Sequence, residues 1–487
     1  MEELLRQLLE QIRIQNTLIA EQSAMIAEKD AQIAALTAKV SELTTKIEEL
    51  THKKNSNNSS TPPSANRMDK PAPKSLREKS GRKPGGQQGH RGNGMKIDRE
   101  PDEIRSHLPQ QCKGCPRAGK CKFHCCDTRY EYEAIVTTKL IAHKAMGCTC
   151  PVSGIAVKGE FPSGITGTKQ YGNGIFSLVN SLLTVGFMSV DRVQKLLNSL
   201  RIPISTGAIQ NMLTRAATLA AAPAAKAKQR VTGGDVVNFD ETGLRVAGKL
   251  SWLHCARKGS WFSYSVQEKR GCEGMDAMGI LPEFKGVAVH DFWGPYQTYT
   301  EAEHAMCCAH LERELVYAAE MGQQAWAEKL RKLLQTMCHR KNELRAAGAA
   351  AFPEAELRRN LAEYDTLVAE GLETNPEPVR QPGQRGRLKK GKIRSLLERF
   401  RDFKAEILRF ATDWRVPFTN NAAEQAIRCA RVKEKVSGCF RTKAGADNFA
   451  CLLSYLSTAV AHGLTSFDAC LALANGSAME LVAAWLD

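Results

Sequence analysis

Val236-Val-Asn-Phe-Asp240 is a short apolar run that ends at an acid, and it begins the part of the chain that carries strand signals. Comparable short runs follow at residues 243–246, 251–256 and 261–266, and after a short helical stretch near Met275 another covers 286–291. Short runs rich in β-branched and aromatic residues, separated by turn residues, predict strands. Residues 234–300 are therefore predicted to form a sheet in the order strand, strand, strand, helix, strand.

Three carboxylates stand out by their place in this pattern. Asp240 ends the first apolar run, Asp291 ends a later one, and Glu424 lies in the first turn of a helix predicted to begin after Pro417. Acids on the first and fourth strands, with a third on a later helix, are the arrangement of a ribonuclease-H-like α/β core. Such acids can hold two Mg²⁺ (or Mn²⁺) ions about 3.5–4 Å apart, which clamp the attacking and leaving oxygens of a phosphodiester.

Each acid also has a purely structural interpretation. Asp240 and its neighbour Glu241 could form a polar strand edge, and Asp291 could begin a turn. The spacing Asn421-x-x-Glu424 resembles a capping box, in which the glutamate only satisfies backbone N–H groups.

A basic stripe downstream of Glu424 favours the functional interpretation. Arg428, Arg431 and Lys435 follow it at helical spacing and so share its face. This pattern is expected if DNA lies along the helix. The predicted DNA-binding residues are Arg428, Arg431, Lys433, Lys435 and Arg441.

Composition and charge point to a polyanionic partner. Of 487 residues, 68 are Lys or Arg and 52 are Asp or Glu, which gives a net charge of +16. A hydrophobic content of 43% excludes a wholly disordered or collagen-like chain. No apolar run reaches the roughly 18 residues of a membrane helix, and the first residues lack the basic segment of a secretory signal. We expect a cytoplasmic, nucleoid-associated protein with no membrane partner.

Residues 1–52 predict a coiled-coil oligomerisation helix. Apolar residues recur every seven positions at Leu5, Ile12, Ile19, Ile26, Ile33, Val40 and Ile47. The companion positions three residues later are Leu8, Gln15, Gln22, Lys29, Leu36, Leu43 and Leu50. β-Branched residues at the first position with Leu at the second favour a parallel dimer. The alternative is a helix that packs on its own domain.

A small zinc-binding module is predicted for residues 98–160. Cys112-x-x-Cys115 supplies half of a tetrahedral zinc site, and Cys148-x-Cys150, which follows a strand-like stretch over residues 130–141, is the preferred second half. Cys121 paired with Cys125 or Cys126 is an alternative second half. Reduced cysteines without a metal are the remaining interpretation.

The rest of the chain divides by composition. Residues 53–97 form a basic, Ser-, Asn- and Pro-rich segment that is predicted to be a disordered linker able to lie on phosphates. Residues 161–233 are predicted to be helical, with apolar spacing over 179–200 and a candidate helix-turn-helix for DNA. Long helices are predicted for 301–412, a second part of the core with the glutamate for 413–463, and a helical C-terminal segment for 464–487.

Several phrases of the sequence resemble the insertion-sequence-66 family of bacterial transposases, of the Asp-Asp-Glu type. They are Lys54-Asn-Ser-Asn-Asn-Ser-Ser-Thr-Pro-Pro-Ser64 with Gly85-Gly-Gln-Gln-Gly-His90, Val237-Asn-Phe-Asp-Glu-Thr-Gly243, His290-Asp-Phe-Trp-Gly-Pro-Tyr296, Cys308-Ala-His-Leu-Glu-Arg-Glu314, and Asn420-Asn-Ala-Ala-Glu424 with Lys435-Val-Ser-Gly-Cys-Phe-Arg441. Together they span nearly the whole chain, and the last pair is the most specific.

The resemblance implies a multidomain α+β protein with Asp240, Asp291 and Glu424 as its catalytic triad. It also implies a structural Zn²⁺ in the N-terminal module and a helical insertion before the glutamate. The expected activity is cutting of the element ends and joining of the 3′-OH to target DNA, with accessory proteins of the same element as further partners. The stretch Cys307-Cys308-Ala-His310 looks like a metal half-site, but we interpreted His310 and Arg313 as structural or DNA-facing.

Two rival functions follow from the same residues. A coiled-coil zinc protein with an inactive core would bind and regulate DNA without cutting it. A ribonuclease-H-like nuclease would cut DNA without joining it, and a strand-transfer product distinguishes that rival.

Overall fold

The computed structural model describes residues 2–51, 97, 99–112, 115–117, 120–132, 137–153, 155–322, 324–378 and 390–486. The chain divides into two compact units. One takes in the described residues of Met1–Pro73, Lys169–Lys195 and Ile204–Asp487, and the other those of Lys74–Thr168 and Leu196–Pro203. All but one residue of the predicted linker 53–97 lies outside the described residues.

The described part of the chain is a mixed α+β protein with 14 α-helices and two sheets. The strands are β1 (Gly147–Thr149), β2 (Ala156–Lys158), β3 (Val236–Val246), β4 (Lys249–Lys258), β5 (Trp261–Gln267), β6 (Val287–His290) and β7 (Glu303–Met306). The first helices are α1 (Glu2–Thr51), α2 (Asn173–Thr184), α3 (Val190–Ser199), α4 (Thr206–Thr232) and α5 (Cys272–Met278). The remaining helices are α6 (Cys308–Gly322), α7 (Ala325–Ala346), α8 (Glu354–Thr374), α9 (Lys392–Asp402), α10 (Lys404–Thr412), α11 (Asn421–Ser437), α12 (Lys443–Ala461), α13 (Ser466–Asn475) and α14 (Ala478–Ala484).

Helix α1 runs for 50 residues without a break. The described apolar side chains of its heptad stripe are all exposed, with Ile12 the least exposed at 48%. The side chains of Leu5, Leu8, Ile47 and Leu50 lie outside the described residues. The described part of the stripe of α1 is thus exposed along its length.

The main sheet has five strands in the order β5-β4-β3-β6-β7. Strands β3, β4 and β5 form an antiparallel meander, and β6 and β7 run parallel to β3. A two-residue turn joins β3 to β4, and its residues Ala247 and Gly248 have φ values of 49° and 79°. Positive φ at both positions matches the twist of a hairpin, and glycine supplies it without strain.

Helices cover the face of the sheet that carries Asp240. Over β3, β4 and β5 this face packs on α11 and α12, through Leu244, Leu253, Ile427 and Phe449. Over β6 and β7 it packs on α6 and the helices that follow, and Val289 belongs to that second core. A single layer of helices therefore borders the carboxyl ends of the parallel strands.

Helices α6–α10 connect the end of β7 to α11. Their core contains large buried side chains such as Trp326, Tyr364 and Phe400, and it is continuous with β6 and β7. Lys341 is buried in it, and its Nζ donates hydrogen bonds to the carbonyls of Phe410 (2.9 Å) and Val416 (2.7 Å). This clamp fixes the segment that returns the chain towards α11.

Helices from the parts of the sequence before and after the main sheet pack against the meander. Helix α4 packs against α12 and β5, and α2 packs against α13. Over the described residues, no single helix is both long and apolar enough to cross a membrane. Lys443–Ala461 and Ser466–Asn475 reach that length and composition only as a pair, and they meet at a bend of 117°.

The structure differs from four sequence-based predictions of secondary structure. The runs 236–240 and 243–246 form one strand, β3, so Asp240 lies inside a strand rather than at its end. The apolar spacing over 179–200 does not form one helix: α2 ends at Thr184, and Phe187 adopts a left-handed φ of 51° and packs its ring against Phe449. Residues 303–306 form strand β7, although the range 301–412 was predicted to be helical. The described part of 130–141 contains no strand, and the hairpin of that unit lies later, at β1 and β2.

Candidate active site

The register of the sheet places two of the predicted acids side by side. Asn238 on β3 pairs with Val289 on β6, so Asp240 and Asp291, each two residues further on, occupy the next equivalent positions. His290 on β6 pairs with Met306 on β7, which places Cys307 level with Asp291. Residues level with one another on adjacent strands point to the same face. Asp240, Asp291 and Cys307 thus form one row across three parallel strands.

Asp240 lies in a buried, acidic setting. Its Oδ1 accepts a hydrogen bond from the backbone N–H of Glu241 at 2.9 Å. Burial raises the pKa of the Asp240 carboxyl well above its ordinary value, and the nearby charges of Glu241, Asp291 and Glu424 raise it further. The charges of Asp291 and Glu424 therefore reach Asp240, although in the described part of the chain the three carboxylates do not form a group compact enough to share one ion.

Asp291 is held in place by the turn that follows it. Its Oδ1 accepts the backbone N–H of Trp293 at 3.1 Å. Burial, and then the charge of Glu241, raise the pKa of the Asp291 carboxyl, while His310 and Arg270 act in the opposite direction. Asp291 therefore sits between the acidic cluster and two potentially cationic side chains.

Glu424 enters the site from the first turn of α11, as the sequence predicted. The capping-box alternative is wrong, because the N-cap is Asn420 and its side chain makes no capping hydrogen bond to the helix. The Oε1 atom of Glu424 instead lies 3.8 Å from Cys307 Sγ and 3.7 Å from His310 Nδ1. Glu424 thus lies beside Cys307, the last member of the row across the parallel strands.

Asn420 anchors the start of α11 to the sheet. Its Nδ2 donates to the carbonyl of Phe239 at 2.7 Å, and its Oδ1 accepts from Asn238 Nδ2 at 2.8 Å. Its backbone N–H points to Cys307 Sγ at 3.1 Å. Asn420 is only 1% exposed, so these contacts are shielded from water. They fix Glu424, four residues later, relative to Asp240.

Cys307 and His310 lie beside Glu424, at a place where the sequence predicted His310 to be structural or DNA-facing. Together with Glu424 they are the one group of at least three potential metal ligands that lies close together in the described residues, with all ligand atoms within 4.8 Å of one another. Burial, and then the charge of Glu424, raise the pKa of the Cys307 thiol to about 12. The Cys-x-x-His spacing was the available signal, but its partner lies 114 residues away from His310.

The opposite face of the sheet holds a buried ion pair behind the site. Glu241 accepts hydrogen bonds from Arg270 Nε at 2.8 Å and from the hydroxyl of Tyr296. The guanidinium of Arg270 also stacks on Trp293, with 3.9 Å between Cζ and the ring centroid. Trp293 donates its backbone N–H to Asp291, so this cluster braces the turn that orients that acid.

The basic residues on and after α11 occupy two different settings. Arg428, Arg431, Lys435 and Arg441 are exposed. Lys433 is half-buried: its ammonium lies over the rings of Phe440 and Phe449 and donates to Ser437 Oγ. Burial lowers the pKa of Lys433 to about 8. The exposed residues are therefore better placed to meet a polyanion than Lys433.

The cysteines predicted to bind zinc all have free thiols in the structure. Cys148 lies on β1 and Cys150 follows it, while Cys112 ends a short 3-10 helix. Hydrogen bonds from Ser153, first from its hydroxyl, lower the pKa of the Cys150 thiol. Within the described part of the chain, Cys112, Cys115, Cys121, Cys125, Cys126, Cys148 and Cys150 do not form a group compact enough to share one ion.

Comparison with known proteins identifies the family. The family model described as Transposase IS66 family matches residues 169–448, a span that includes β3, β6 and α11 and covers more than half of the chain. A second model, described only as a family of unknown function, matches residues 17–96. No curated protein matches the sequence. The chain therefore belongs to the IS66 family of transposases, and DNA is its partner.

Proposed function

We propose that the chain is an Asp-Asp-Glu transposase that cuts the ends of its element and joins the freed 3′-OH to target DNA. The observation that carries this proposal is the register that sets Asp240 level with Asp291, with Glu424 near enough for its charge to act on Asp240. The charges of Asp291 and Glu424 raise the pKa of the Asp240 carboxyl. Such an effect requires the charged groups to lie near one another.

The topology of the main sheet supports a ribonuclease-H-like core. An antiparallel three-stranded meander followed by two parallel strands, in the order β5-β4-β3-β6-β7, is the arrangement expected for that fold. In open sheets of this kind, ligands bind beyond the carboxyl ends of the parallel strands. We assign residues 234–300 and 413–463 to the core, add β7 to it, and treat α6–α10 as the insertion.

The donor set at this edge fits hard divalent cations. The groups that influence the pKa of Asp240 are three other carboxylates and one backbone amide, with no cationic side chain among them. Asp240 thus has no countercharge among the groups that act on it, and carboxylate oxygens are the ligands that Mg²⁺ or Mn²⁺ favours. Two such ions, held by Asp240, Asp291 and Glu424, would supply Lewis-acid stabilisation of charge on the phosphodiester oxygens.

The chain's own groups orient the reaction. Backbone N–H groups of Glu241 and Trp293 fix one oxygen each of Asp240 and Asp291. Asn420 fixes the start of the helix that carries Glu424. In the first step water cleaves the phosphodiester at the element end and leaves a 3′-OH. In the second step that hydroxyl attacks a target phosphodiester and displaces a 3′-oxygen, so no nucleophilic side chain is required.

A pair of matched variants tests the assignment. Asp291→Asn should abolish Mg²⁺-dependent cleavage of an end-containing duplex and strand transfer, while binding of the duplex persists. Asp235→Asn changes an exposed aspartate at the amino end of β3 and should leave both reactions intact. Cleavage by Asp291→Asn at the wild-type rate would show that the acids are not catalytic. Cleavage without any joined product would favour a nuclease.

We also propose that DNA follows the exposed face of α11. Arg428, Arg431 and Lys435 continue from Glu424 at helical spacing, so a backbone held along them passes the acidic cluster. Arg441 follows the helix, and Phe440 beside it pairs with the end of β3 through backbone hydrogen bonds to Arg245 (3.0 Å) and Ala247 (2.7 Å). Lys433 is the weakest of the predicted contacts, because its ammonium packs on aromatic rings.

Helix α1 is proposed to pair with a second copy of the chain in a parallel coiled coil. The exposed heptad stripe gives a two-stranded pairing its apolar seam, with polar Gln15, Gln22 and Lys29 able to set the register. Transposition joins two element ends, and a dimer can hold both through two linked DNA-binding surfaces.

The module around β1 and β2 is proposed to bind a structural Zn²⁺ through Cys112, Cys115, Cys148 and Cys150. The hairpin pairs Cys148 with Val157, and Cys150 donates its backbone N–H to Ile155 at 2.9 Å, so both thiols sit at a tight turn. Hydrogen bonds to the Cys150 sulfur favour its thiolate, which is the form that binds zinc. Cys148→Ser should lower the zinc content by one equivalent, whereas Cys121→Ser should not.

A further inference from the structure

Three side chains beside the acidic cluster have the geometry of ligands that share one ion. Cys307 Sγ and His310 Nδ1 lie 3.8 Å and 3.7 Å from Glu424 Oε1, and the three atoms are mutually within 4.8 Å. With metal–ligand bonds of about 2.0–2.3 Å, a tetrahedral zinc ion separates its ligand atoms by roughly 3.4–3.6 Å. Two of the three separations are therefore within a few tenths of an ångström of that value.

Hydrogen bonding accounts for only part of this arrangement, because Cys307 Sγ donates a weak hydrogen bond to Glu424 Oε1 at 3.8 Å but His310 Nδ1 has no partner. His310 Nδ1 is buried and has no hydrogen-bond partner, and a separation of 3.7 Å from a carboxylate oxygen is too long for one. Buried polar atoms are normally paired, so an unpaired imidazole nitrogen aimed at a carboxylate requires an explanation. A cation bound between the two groups provides it.

Backbone N–H groups around Cys307 favour a metal-bound thiolate, whereas burial and the charge of Glu424 hold the metal-free group as a thiol. Its sulfur accepts the backbone N–H of Asn420 at 3.1 Å, and the N–H groups of Ala309 and His310 also point to it. These donors compensate negative charge on the sulfur. Cys307 precedes α6 and His310 lies in its first turn, so the backbone itself sets the spacing of the two ligands.

We propose that Cys307 Sγ, His310 Nδ1 and Glu424 Oε1 form a binding site for a single borderline-soft divalent ion of the Zn²⁺ class. Thiolate and imidazole select such ions over Mg²⁺, which prefers oxygen ligands. Binding displaces the thiol proton to solvent. The side chains of His310 and Glu424 are 18% and 20% exposed, so a water molecule can complete the tetrahedron.

The site shares Glu424 with the proposed catalytic cluster, which gives it a regulatory consequence. A carboxylate bound to Zn²⁺ beside Cys307 is withdrawn from the pair formed by Asp240 and Asp291. Zn²⁺ should therefore inhibit the Mg²⁺-dependent reaction. This consequence rests on the proposed function, whereas binding of the ion does not.

The test is metal titration of the full chain with Co²⁺, which reports thiolate ligation by charge-transfer absorption, followed by Zn²⁺ competition. The control variant is Cys451→Ser, in which serine can keep the hydrogen bond that Cys451 Sγ donates to Ala217 at 3.5 Å. Wild type and Cys451→Ser should bind one equivalent more than Cys307→Ser or His310→Ala. Cys307→Ser and His310→Ala should bind the ion at this site more than about 100-fold more weakly than wild type. Loss of a group that only hydrogen-bonds to a metal ligand already costs about 10–100-fold in affinity.

Equal stoichiometry and equal absorption in all four proteins would overturn the proposal. Circular dichroism at the titration temperature verifies that each variant is folded, and His310→Gln replaces His310→Ala if the latter is not. Asp240→Asn separates this site from the catalytic proposal: it should lose cleavage yet keep the extra equivalent. Cleavage retained in that variant would refute the catalytic role alone, and a missing equivalent in wild type would refute the zinc site alone.

Discussion

Replacing Asn420 by alanine tests whether one buried amide holds the third acid against the sheet. The side chain makes two hydrogen bonds across more than 180 residues of sequence, donating to Phe239 and accepting from Asn238. Both Asn420 and Asn238 are buried, at 1% and 8% exposure. The substitution removes the partner of two buried polar groups and leaves the backbone contact to Cys307 in place.

The magnitude follows from the cost of those two unpaired groups. Leaving a buried donor or acceptor unsatisfied costs about 1–3 kcal/mol. Asn420→Ala should therefore destabilise the domain by about 2–6 kcal/mol. For a domain of roughly 150–250 residues, each kcal/mol lowers the melting temperature by about 2–4 °C. We expect a decrease of at least about 4 °C, together with a loss of cleavage larger than the loss of folded protein, because Glu424 is no longer fixed.

The assay compares Asn420→Ala with Asn421→Ala in thermal melts of the full chain and in end cleavage below both melting temperatures. Asn421 is exposed and begins α11, so its substitution should change stability by no more than about 0.5 kcal/mol. The reasoning is refuted if the two variants melt within about 1 °C of each other. It is also refuted if Asn420→Ala melts early but cleaves as well as wild type when folded.

Three further outcomes are expected. In metal-free protein, the stability of Asp240→Asn relative to wild type should increase as the pH rises from about 4 to 8. The folded-state pKa of Asp240 is raised, so the wild type loses stability once the unfolded aspartate ionises near pH 3.9. A constant difference between the melting temperatures of the two proteins over this range would contradict this. Ile26→Asp should convert a dimer into a monomer in sedimentation equilibrium, whereas Ala31→Asp, on the opposite side of the same heptad, should not. Arg431→Ala should reduce the slope of log affinity against log salt for DNA by about one, and Lys433→Ala should change it less. Equal slopes in wild type and Arg431→Ala would show that DNA does not follow α11.

The sequence was informative where local pattern and chemistry coincide. Alternating apolar residues and turn residues predicted the strands of the meander, and the acids at the end of β6 and within β3 were proposed from those runs. The first turn of α11 was also predicted, with Glu424 in it. In each of these places the signal lies within about ten residues.

The parts missed depend on contacts between distant segments. Strand β7 has only four residues, and its pairing with β6 comes from the sheet rather than from its own composition. The closeness of Cys307 and His310 to Glu424 depends on the position of α11 and cannot be read from the sequence. Asn420 looked like an ordinary residue before a helix, yet its partners are on β3. No periodicity or spacing in the sequence predicts such long-range contacts.

The order in which the strands and α11 occur along the chain has a consequence for its synthesis. A ribosome releases β3, β6 and β7 well before α11, because Glu424 follows Asp291 by 133 residues. Proteins fold from the N-terminal side as they emerge. A nascent polypeptide can thus expose its positively charged N-terminal regions to nucleic acid while it still lacks the last acid. With Glu424 as the proposed third catalytic acid, cleavage becomes possible only after α11 has been synthesised.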